Sequence, residues 1–302
     1  MDLKRLQFLR EVAARGTISA AAEALGYTPS AVSQQLSVLE NEMGTPLLER
    51  QGRNVILTPA GEALVRASDD VFSAVDRAEA AVERAGELAV GPVRVGSYQS
   101  IGSTIVPRAF SALHRKRPQL EAHFVQYERH LMRDLNLGVI DIALGQHYSN
   151  VPTRDEGKFD RRDVLIEPVF LAVPADSPVR SMRDAEHEMW VVAPPTTDCG
   201  KNVRNLCAEA GYEPDVRFHS DDNEVTLSVV AAGLGVGVLP RLGVIRPPEG
   251  VRLILLRGAT RTVYANTRPG TMDRPAISAV MAELLAAGEE VAEHQRALAM
   301  AG

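Results

Sequence analysis

The chain has 302 residues, of which 45% are hydrophobic and 24% are charged, and its formal net charge at pH 7 is -6. This length and composition predict an ordinary globular protein of two or three domains and exclude a disordered or fibrous one. We expect a cytoplasmic protein, because the sequence shows neither a run of about eighteen apolar residues nor a signal peptide.

The first sixty residues predict three short helices in succession. Apolar residues between positions 3 and 13 recur at helical spacing, and Gly16 ends the first helix, because glycine adopts the left-handed conformation that follows a helix end. Gly26 ends the second helix in the same way. Pro29 lies in the first turn of the third helix, where its missing N–H costs nothing, and this helix should run to about Met43.

Polar side chains on the third helix indicate contact with DNA. Apolar residues at positions 32, 36 and 39 face inward, whereas Ser30, Ser33 and Gln34 face outward, where they suit base edges and phosphates. Residues 47–58 then read as a hairpin wing with Arg53 at its tip, placed to enter the minor groove. The pattern predicts a winged helix-turn-helix, although any small three-helix domain shares the same apolar and polar spacing.

Several segments, in this order, resemble the DNA-binding domain of LysR-type transcriptional regulators. They are Leu6 to Leu9, Ser19 to Leu25, Pro29 to Leu36, Leu39-Glu40, Gly44, Leu47 to Arg50, and Leu57 to Gly61. The resemblance implies that residues 1–58 form a winged helix-turn-helix that binds double-stranded DNA as a dimer. The DNA contacts that it implies are Thr28, Pro29, Ser30, Ser33, Gln34 and Arg53.

Gln34 departs from the arginine that many members of this family carry at that position. Glutamine can pair bidentately with adenine, whereas arginine prefers guanine, so the base that is read there should differ.

The charge of the predicted DNA-binding domain gives no support to this assignment. In residues 1–57 the charges cancel, with Lys4, Arg5, Arg10, Arg15, Arg50 and Arg53 against Asp2, Glu11, Glu23, Glu40, Glu42 and Glu49. The cations that meet phosphates must therefore be grouped locally, with the acids on the far side. A neutral domain should bind non-specific DNA weakly and depend on dimerisation for affinity.

Pro59 begins a long predicted helix that has no breaker until about Gly86. Small and apolar residues alternate along it at spacings of three and four, which is a heptad seam. The seam consists of Leu64, Ala67, Val71, Ala74, Ala78, Ala81, Ala85 and Leu88. A helix packed on its own domain is the alternative, but the seam outlasts what a sixty-residue domain can cover. Residues 59–89 are therefore predicted to pair two chains, and the family resemblance implies the same linker, as well as a homotetramer built from two homodimers.

Strands and helices alternate through the remaining residues, which predicts an α/β fold with a parallel sheet wound by helices and a last helix over about Arg274 to Leu285. The resemblance extends here through Asp141 to Gly145 and Val229 to Pro240. It implies a two-lobed, periplasmic-binding-protein-like effector domain over 91–302, with a small-molecule effector between the lobes.

By this reading, lobe one comprises residues 91–163 and 268–302, and lobe two comprises residues 164–267. In open α/β sheets, ligands bind beyond the carboxyl ends of strands, where helix N-termini favour anions. The candidate effector contacts are Tyr98, Gln99, Ser100, Gln126, Tyr127, Glu128, Pro195, Thr196 and Thr197. Ordinary cap or loop contacts are the alternative for each of them. Many relatives have serine or threonine where Glu128 begins a predicted helix, and its carboxylate would repel an anionic effector.

Cys199 and Cys207 are the only cysteines, and both should be reduced in a cytoplasmic chain. Peroxide-sensing members of the family carry a reactive pair in a similar region, so thiol-based redox sensing is an alternative function. Lys201 and a helix start favour a lowered pKa for Cys199, whereas Asp198 opposes it. Eight helical residues rise about 12 Å, which is too far for a disulfide without unwinding.

No signature of an enzyme is found. The seven histidines lack metal-ligand spacing, and neither a nucleophile elbow nor a Walker loop occurs, so we expect no metal, no cofactor and no catalysis. RNA polymerase is a further conceivable partner of a regulator, and no membrane partner is expected. A small-molecule-binding protein without a DNA role is a second alternative.

Overall fold

The computed structural model describes residues 1–52, 54–86, 91–152, 159–244 and 246–301. The N-terminal part consists of α1 (Leu3–Arg15), α2 (Ile18–Leu25), α3 (Pro29–Met43), β1 (Leu48–Gln51), β2 (Asn54–Leu57) and α4 (Pro59–Ala85). Hydroxyl groups cap three of these helices, because the side chains of Thr17, Thr28 and Thr58 each accept a hydrogen bond from a backbone N–H in the first turn.

The three N-terminal helices pack around one small core. Phe8, Leu9 and Val12 of α1 are buried against Val32 and Leu36 of α3. The antiparallel β1–β2 hairpin forms the predicted wing beside them. The inward and outward faces predicted for α3 are therefore those that the packing produces.

Helix α4 leaves this domain and runs along the C-terminal region of its own chain. Ser68, Asp76 and Ala80 are buried on one side of the helix, whereas Ala74, Ala78 and other residues of the predicted seam are exposed. The helix ends at Ala85 with Gly86 as its C-cap. The predicted range 59–89 continues beyond this point, and residues 87–90 lie outside the described residues.

The C-terminal region is built on one eight-stranded sheet with the strand order β4-β3-β5-β10-β6-β9-β7-β8. Its strands are β3 (Val93–Ser97), β4 (Ala122–Gln126), β5 (Ile142–Tyr148), β6 (Asp160–Pro174), β7 (Met189–Val192), β8 (Asp215–His219), β9 (Val236–Pro240) and β10 (Val251–Thr267). Its helices are α5 (Gln99–Gly102), α6 (Ile105–Lys116), α7 (Leu131–Asn136), α8 (Asp198–Ala210), α9 (Asn223–Ala231) and α10 (Pro275–Ala301). At each end of the sheet the strands pair in parallel, whereas β6 and β10 run antiparallel through its centre.

The long central strands β6 and β10 join two lobes with separate cores. Val164 and Leu165 of β6 and Val263 and Ala265 of β10 are buried in the lobe-one core, whereas Val169 and other residues further into β6 are buried in the lobe-two core. The division between the lobes therefore lies within both strands. The range 164–267 assigned to lobe two from the sequence includes residues that pack in lobe one.

Two elements differ from the sequence-based expectation. The helix after β4 begins at Leu131 and not at Glu128, because His130 adopts a left-handed conformation (φ 66) and serves as the N-cap. Helix α10 continues to Ala301, well past Leu285. Gly288 lies inside α10. Its missing side chain lets the helix pass close to the backbone of Val164, where a Cβ atom would clash. None of the helices in the described ranges combines the length and apolarity that a membrane crossing requires.

Candidate functional site

The N-terminal turn of α3 presents a group of polar side chains to solvent. The Thr28 hydroxyl accepts a hydrogen bond from the backbone N–H of Ala31 (3.3 Å) and lies 3.1 Å from the Ser30 hydroxyl. The exposed or half-buried side chains of this end are Thr28, Pro29, Ser30, Ser33 and Gln34. The structure thus brings together five of the six predicted DNA contacts, and the sixth, Arg53, lies outside the described residues.

The wing is fixed to α3 by hydrogen bonds from backbone groups. The carboxylate of Glu40 accepts from the backbone N–H groups of Leu47 (2.8 Å) and Leu48 (3.2 Å). The Thr58 hydroxyl donates to the carbonyl of Pro46 (2.8 Å), where the hairpin meets α4. Helix, wing and linker therefore hold a defined relative orientation, as a surface that fits a duplex requires.

A cavity of about 660 Å³ lies between the two lobes. Residues from both lobes line it, including Tyr127 from lobe one and Thr197 from lobe two. The predicted effector contacts that line it are Tyr98, Gln99, Ser100, Gln126, Tyr127, Glu128, Thr196 and Thr197. Pro195, the ninth, is exposed beside the cavity and does not line it.

Arg261 lines the cavity and belongs to a buried ion pair that the sequence analysis did not identify. Arg261 on β10 donates from Nε to Glu167 on β6 (2.6 Å), and both residues are 1% exposed. Nη1 of Arg261 also donates to the Ser100 hydroxyl (3.0 Å) and to the Gln146 amide oxygen (2.8 Å). Burial alone would lower the pKa of Arg261, but the Glu167 carboxylate together with Tyr148 and Cys199 outweighs it and the pKa is raised. Arg261 therefore stays charged where the two lobes meet.

Cys199 lies at the start of α8 and joins this polar cluster from the lobe-two side. Its Sγ accepts a hydrogen bond from Nε2 of Gln146 (3.1 Å) and lies 3.5 Å from the Tyr148 hydroxyl. Burial raises the pKa of the Cys199 thiol, and the hydrogen bonds of Tyr148 and Gln146 only partly oppose this shift. Burial therefore decides the direction that the sequence left open between Lys201 and Asp198, whose side chains lie 3.4 Å apart.

Cys207 is fully buried in the lobe-two core, two turns along the same helix. Burial raises the pKa of its thiol to about 11. Because thiolates are the reactive form, neither cysteine has the environment of an activated thiol.

Helix α7 connects the cavity to the N-terminal domain. Its first residues, Leu131 and Met132, line the cavity. At its other end, the carbonyl of Asn136 accepts a hydrogen bond from Arg10 of α1 (2.8 Å), and the carbonyl of Leu135 accepts one from Arg268 (3.1 Å). One short helix thus contacts both the cavity and a residue of the DNA-binding domain.

Arg10 and Arg268 are also paired with the linker helix. Arg10 binds Asp69 (2.8 Å), and the arginine is 6% exposed. Arg268 binds Asp76 through Nε (2.8 Å) and Nη2 (3.3 Å). We name the set of Arg10, Asp69, Asp76, Asn136 and Arg268 the interdomain junction. It joins α1, α4 and lobe one within a single chain.

Two sequence models of known protein families match this chain. Residues 3–62 match the sequence model described as "Bacterial regulatory helix-turn-helix protein, lysR family", and residues 86–289 match the one described as "LysR substrate binding domain". The chain belongs to the LysR family. It is a DNA-binding transcriptional regulator with a domain for an effector, and the expected winged helix-turn-helix and two-lobed fold are confirmed.

Individual relatives of this LysR-family regulator are similar over most of their length. The chain is 30% identical over 265 residues to the HTH-type transcriptional regulator ShiR of Corynebacterium glutamicum, covering 84% of this chain and 88% of that protein. It is 28% identical over 258 residues to the hydrogen peroxide-inducible genes activator of Dickeya chrysanthemi, covering 83% of this chain and 82% of the relative. A full-length OxyR variant from Pseudomonas aeruginosa shares the fold, with a TM-score of 0.68, 24% identity and 94% coverage of both chains. The two relatives are transcriptional regulators by name.

The residues that sequence reasoning missed in this LysR-family protein are buried charges. Arg10, Glu167, Arg261 and Arg268 carry no motif and lie within otherwise ordinary helix, strand or loop sequence. Glu167 is the one charge in residues 164–174 of β6, and Arg261 is the one charge in residues 258–267 of β10, which is the one signal that could have indicated a buried pair.

Proposed function

We propose that this regulator reads its operator with the exposed end of α3 and changes its DNA contacts when an effector binds in the interlobe cavity. The observation that carries this proposal is the position of α7, which lines the cavity at Leu131 and binds Arg10 of the DNA-binding domain at Asn136. Because DNA is the partner, we expect the protein to act in the cytoplasm. We expect no catalytic activity.

The coupling requires that the effector favour one arrangement of the lobes, because a ligand with equal affinity for both arrangements shifts nothing. A ligand that draws Thr196 of lobe two toward Tyr127 of lobe one also acts on α7. Tyr127 donates a hydrogen bond to Asp134 of that helix (3.0 Å), and burial together with Asp134 raises the pKa of Tyr127 to about 12. The phenol therefore remains a donor across the physiological range. Movement of α7 then changes the position of the carbonyls that hold Arg10 and Arg268.

The effector contacts that we propose are the eight predicted residues that line the cavity. We propose a small molecule as the signal, because Cys207 is fully buried in the lobe-two core and burial raises the pKa of both thiols, which opposes peroxide chemistry. Exposed residues of α4 support pairing of two chains, since Ala74, Ala78, Ala81 and Val82 present small and apolar side chains to solvent. Assembly of two such dimers would give the expected tetramer.

The Gln34→Arg variant should change which base pair the protein prefers. Glutamine pairs bidentately with adenine and arginine with guanine, and each such pair discriminates by about 1–3 kcal/mol. Selection of bound duplexes from a random-sequence library, followed by sequencing, measures the preference. Ser37→Arg is the matched control, because it adds the same charge to the exposed face of α3 one turn further on. If both variants select the same sequences as the original protein, Gln34 does not read a base.

A cavity-filling variant tests the effector site, and a junction variant tests the coupling. A compound that raises the Tm of the protein is first selected from a metabolite library, since a ligand at a hundred times its Kd stabilises by about 2.7 kcal/mol. With Thr196→Trp this Tm shift should be lost. With Arg10→Gln the shift should persist, while the effect of the compound on the DNase I footprint disappears.

Pro195→Trp is the control for the added indole, because Pro195 is exposed next to Thr196 but does not line the cavity. A full Tm shift in Thr196→Trp would place the ligand elsewhere. A normal footprint response in Arg10→Gln would show that the signal does not pass through the interdomain junction.

A further inference from the structure

The neutral charge balance of the DNA-binding domain conceals an uneven distribution. Arg5 pairs with Glu42 (2.5 Å), Arg15 with Glu11 (2.6 Å), and Arg10 with Asp69 outside the domain (2.8 Å). Of the basic side chains described in residues 1–57, those of Lys4 and Arg50 are the two that form no ion pair with a carboxylate. The positive charge that this domain offers to phosphates is therefore confined to a few positions.

Lys4 is held beside the DNA-reading helix by an aromatic residue. Its Nζ lies 4.8 Å from the centroid of the Tyr27 ring, a distance at which an ammonium is attracted to the ring face. The Tyr27 ring is in turn packed edge-on against the buried Phe8, with centroids 5.2 Å apart and an interplanar angle of 82°. Tyr27 immediately precedes Thr28, the N-cap of α3. The ammonium therefore lies against the residue that precedes the N-cap of α3, the helix that carries the predicted base contacts.

The stability of α1 does not account for a lysine at this position. Lys4 lies in the first turn of α1, where a positive charge opposes the partial positive charge of the helix N-terminus. The side chain is exposed, and its ammonium contacts the Tyr27 ring. The interaction with Tyr27 raises the pKa of Lys4 above its usual value, so the side chain is charged at neutral pH.

We propose that Lys4, positioned by Tyr27, binds a backbone phosphate of the duplex next to the groove that α3 enters. The proposal rests on the proposed reading of DNA by α3, and it adds a contact that is independent of sequence. Phosphate contacts fix the register of a protein on DNA without reading bases. One such contact for each DNA-bound domain gives a neutral domain the local attraction that its summed charge lacks.

Salt dependence of binding to a 40-bp duplex of random sequence tests this proposal with the full-length protein. In Lys4→Gln, the slope of log K against log[KCl] should lose roughly 0.9 in magnitude for each DNA-bound domain, because one phosphate contact is removed. Affinity for operator and random duplexes should fall by the same factor. Lys4→Arg, which keeps the charge, should retain the original slope.

Arg5→Gln is the matched control. It also removes one positive charge, from the next residue, but that charge is already paired with Glu42. A slope in Lys4→Gln equal to that of the original protein, or an equal loss in Arg5→Gln, would overturn the proposal. Unchanged Tm values verify that both variants are folded. Failure of the original protein to select any sequence would instead refute the reading of DNA by α3.

Discussion

Replacing Glu167 with glutamine should lower the free energy of unfolding of the effector domain by about 3–5 kcal/mol, because removal of one partner leaves the other charge of a buried pair uncompensated. Arg261, the partner, is 1% exposed and lies on a strand that both lobes share. Glu167 also accepts a hydrogen bond from the backbone N–H of Leu242 (2.7 Å), so its charge supports more than one contact. The loss of stability should therefore affect β6 and β10, the strands that join the two lobes.

Urea unfolding followed by the fluorescence of Trp190 measures this effect, because Trp190 is the one tryptophan of the chain and is fully buried in the lobe-two core. Lys116→Gln is the matched control. It breaks the pair of the exposed Lys116 with the half-buried Glu283 (2.8 Å), and pairs at the surface contribute about 1 kcal/mol or less.

A double replacement separates the cost of an isolated charge from the contribution of the pair. Glu167→Leu combined with Arg261→Met should recover most of the lost stability, since apolar residues of similar volume often replace buried ion pairs at little cost. A Glu167→Gln variant within about 1 kcal/mol of the original protein would contradict our account of this buried pair.

Placing lysines at Val71 and Ala78 should make the protein monomeric and reduce operator affinity by about 100-fold or more. Two DNA-binding domains that are joined in one dimer gain roughly 100-fold to 10,000-fold in avidity over separate domains, and this gain is lost when the subunits part. Both residues belong to the predicted seam of α4, and Ala78 is exposed in the single chain. Two facing ammonium groups at such a seam repel each other and would have to be desolvated.

Sedimentation and operator binding measure the two consequences, and Trp190 fluorescence verifies that the effector domain remains folded. Ala63→Lys combined with Asp70→Asn is the matched control, because it adds the same net charge to exposed positions of α4 outside the seam. A Val71→Lys/Ala78→Lys protein that stays dimeric and binds the operator normally would exclude α4 as the pairing element.

The DNA-reading helix could be predicted from the sequence because every signal for it is local. The Thr28 cap and Pro29 define where α3 begins, and Gly26 ends the helix before it in the left-handed conformation. A cap, a first-turn proline and a terminal glycine act within a few residues of the chain. The predicted faces of α3 follow from the same short-range periodicity.

The effector cavity was predicted only in outline. Eight of the nine candidate residues line it because the ends of parallel strands meet at one edge of a sheet, which the alternation of strands and helices already indicates. The start of α7 was misplaced at Glu128, because a left-handed His130 leaves no mark in a pattern of apolar residues. The direction of the shift in the thiol pKa of Cys199 stayed open, because nearby charges are visible in a sequence but burial is not.

The sequence alone determined the winged helix-turn-helix with its polar α3 surface, since its signals depend on residues less than about two turns apart, and the pairing seam of α4 stays a prediction. Only the tertiary structure decided which charges meet. Glu167 and Arg261 are 94 positions apart, and Arg10 and Asn136 are 126 positions apart. No local pattern specifies such pairs, because the antiparallel crossing of β6 and β10 and the docking of α1 against α7 bring them together only when the whole chain has folded.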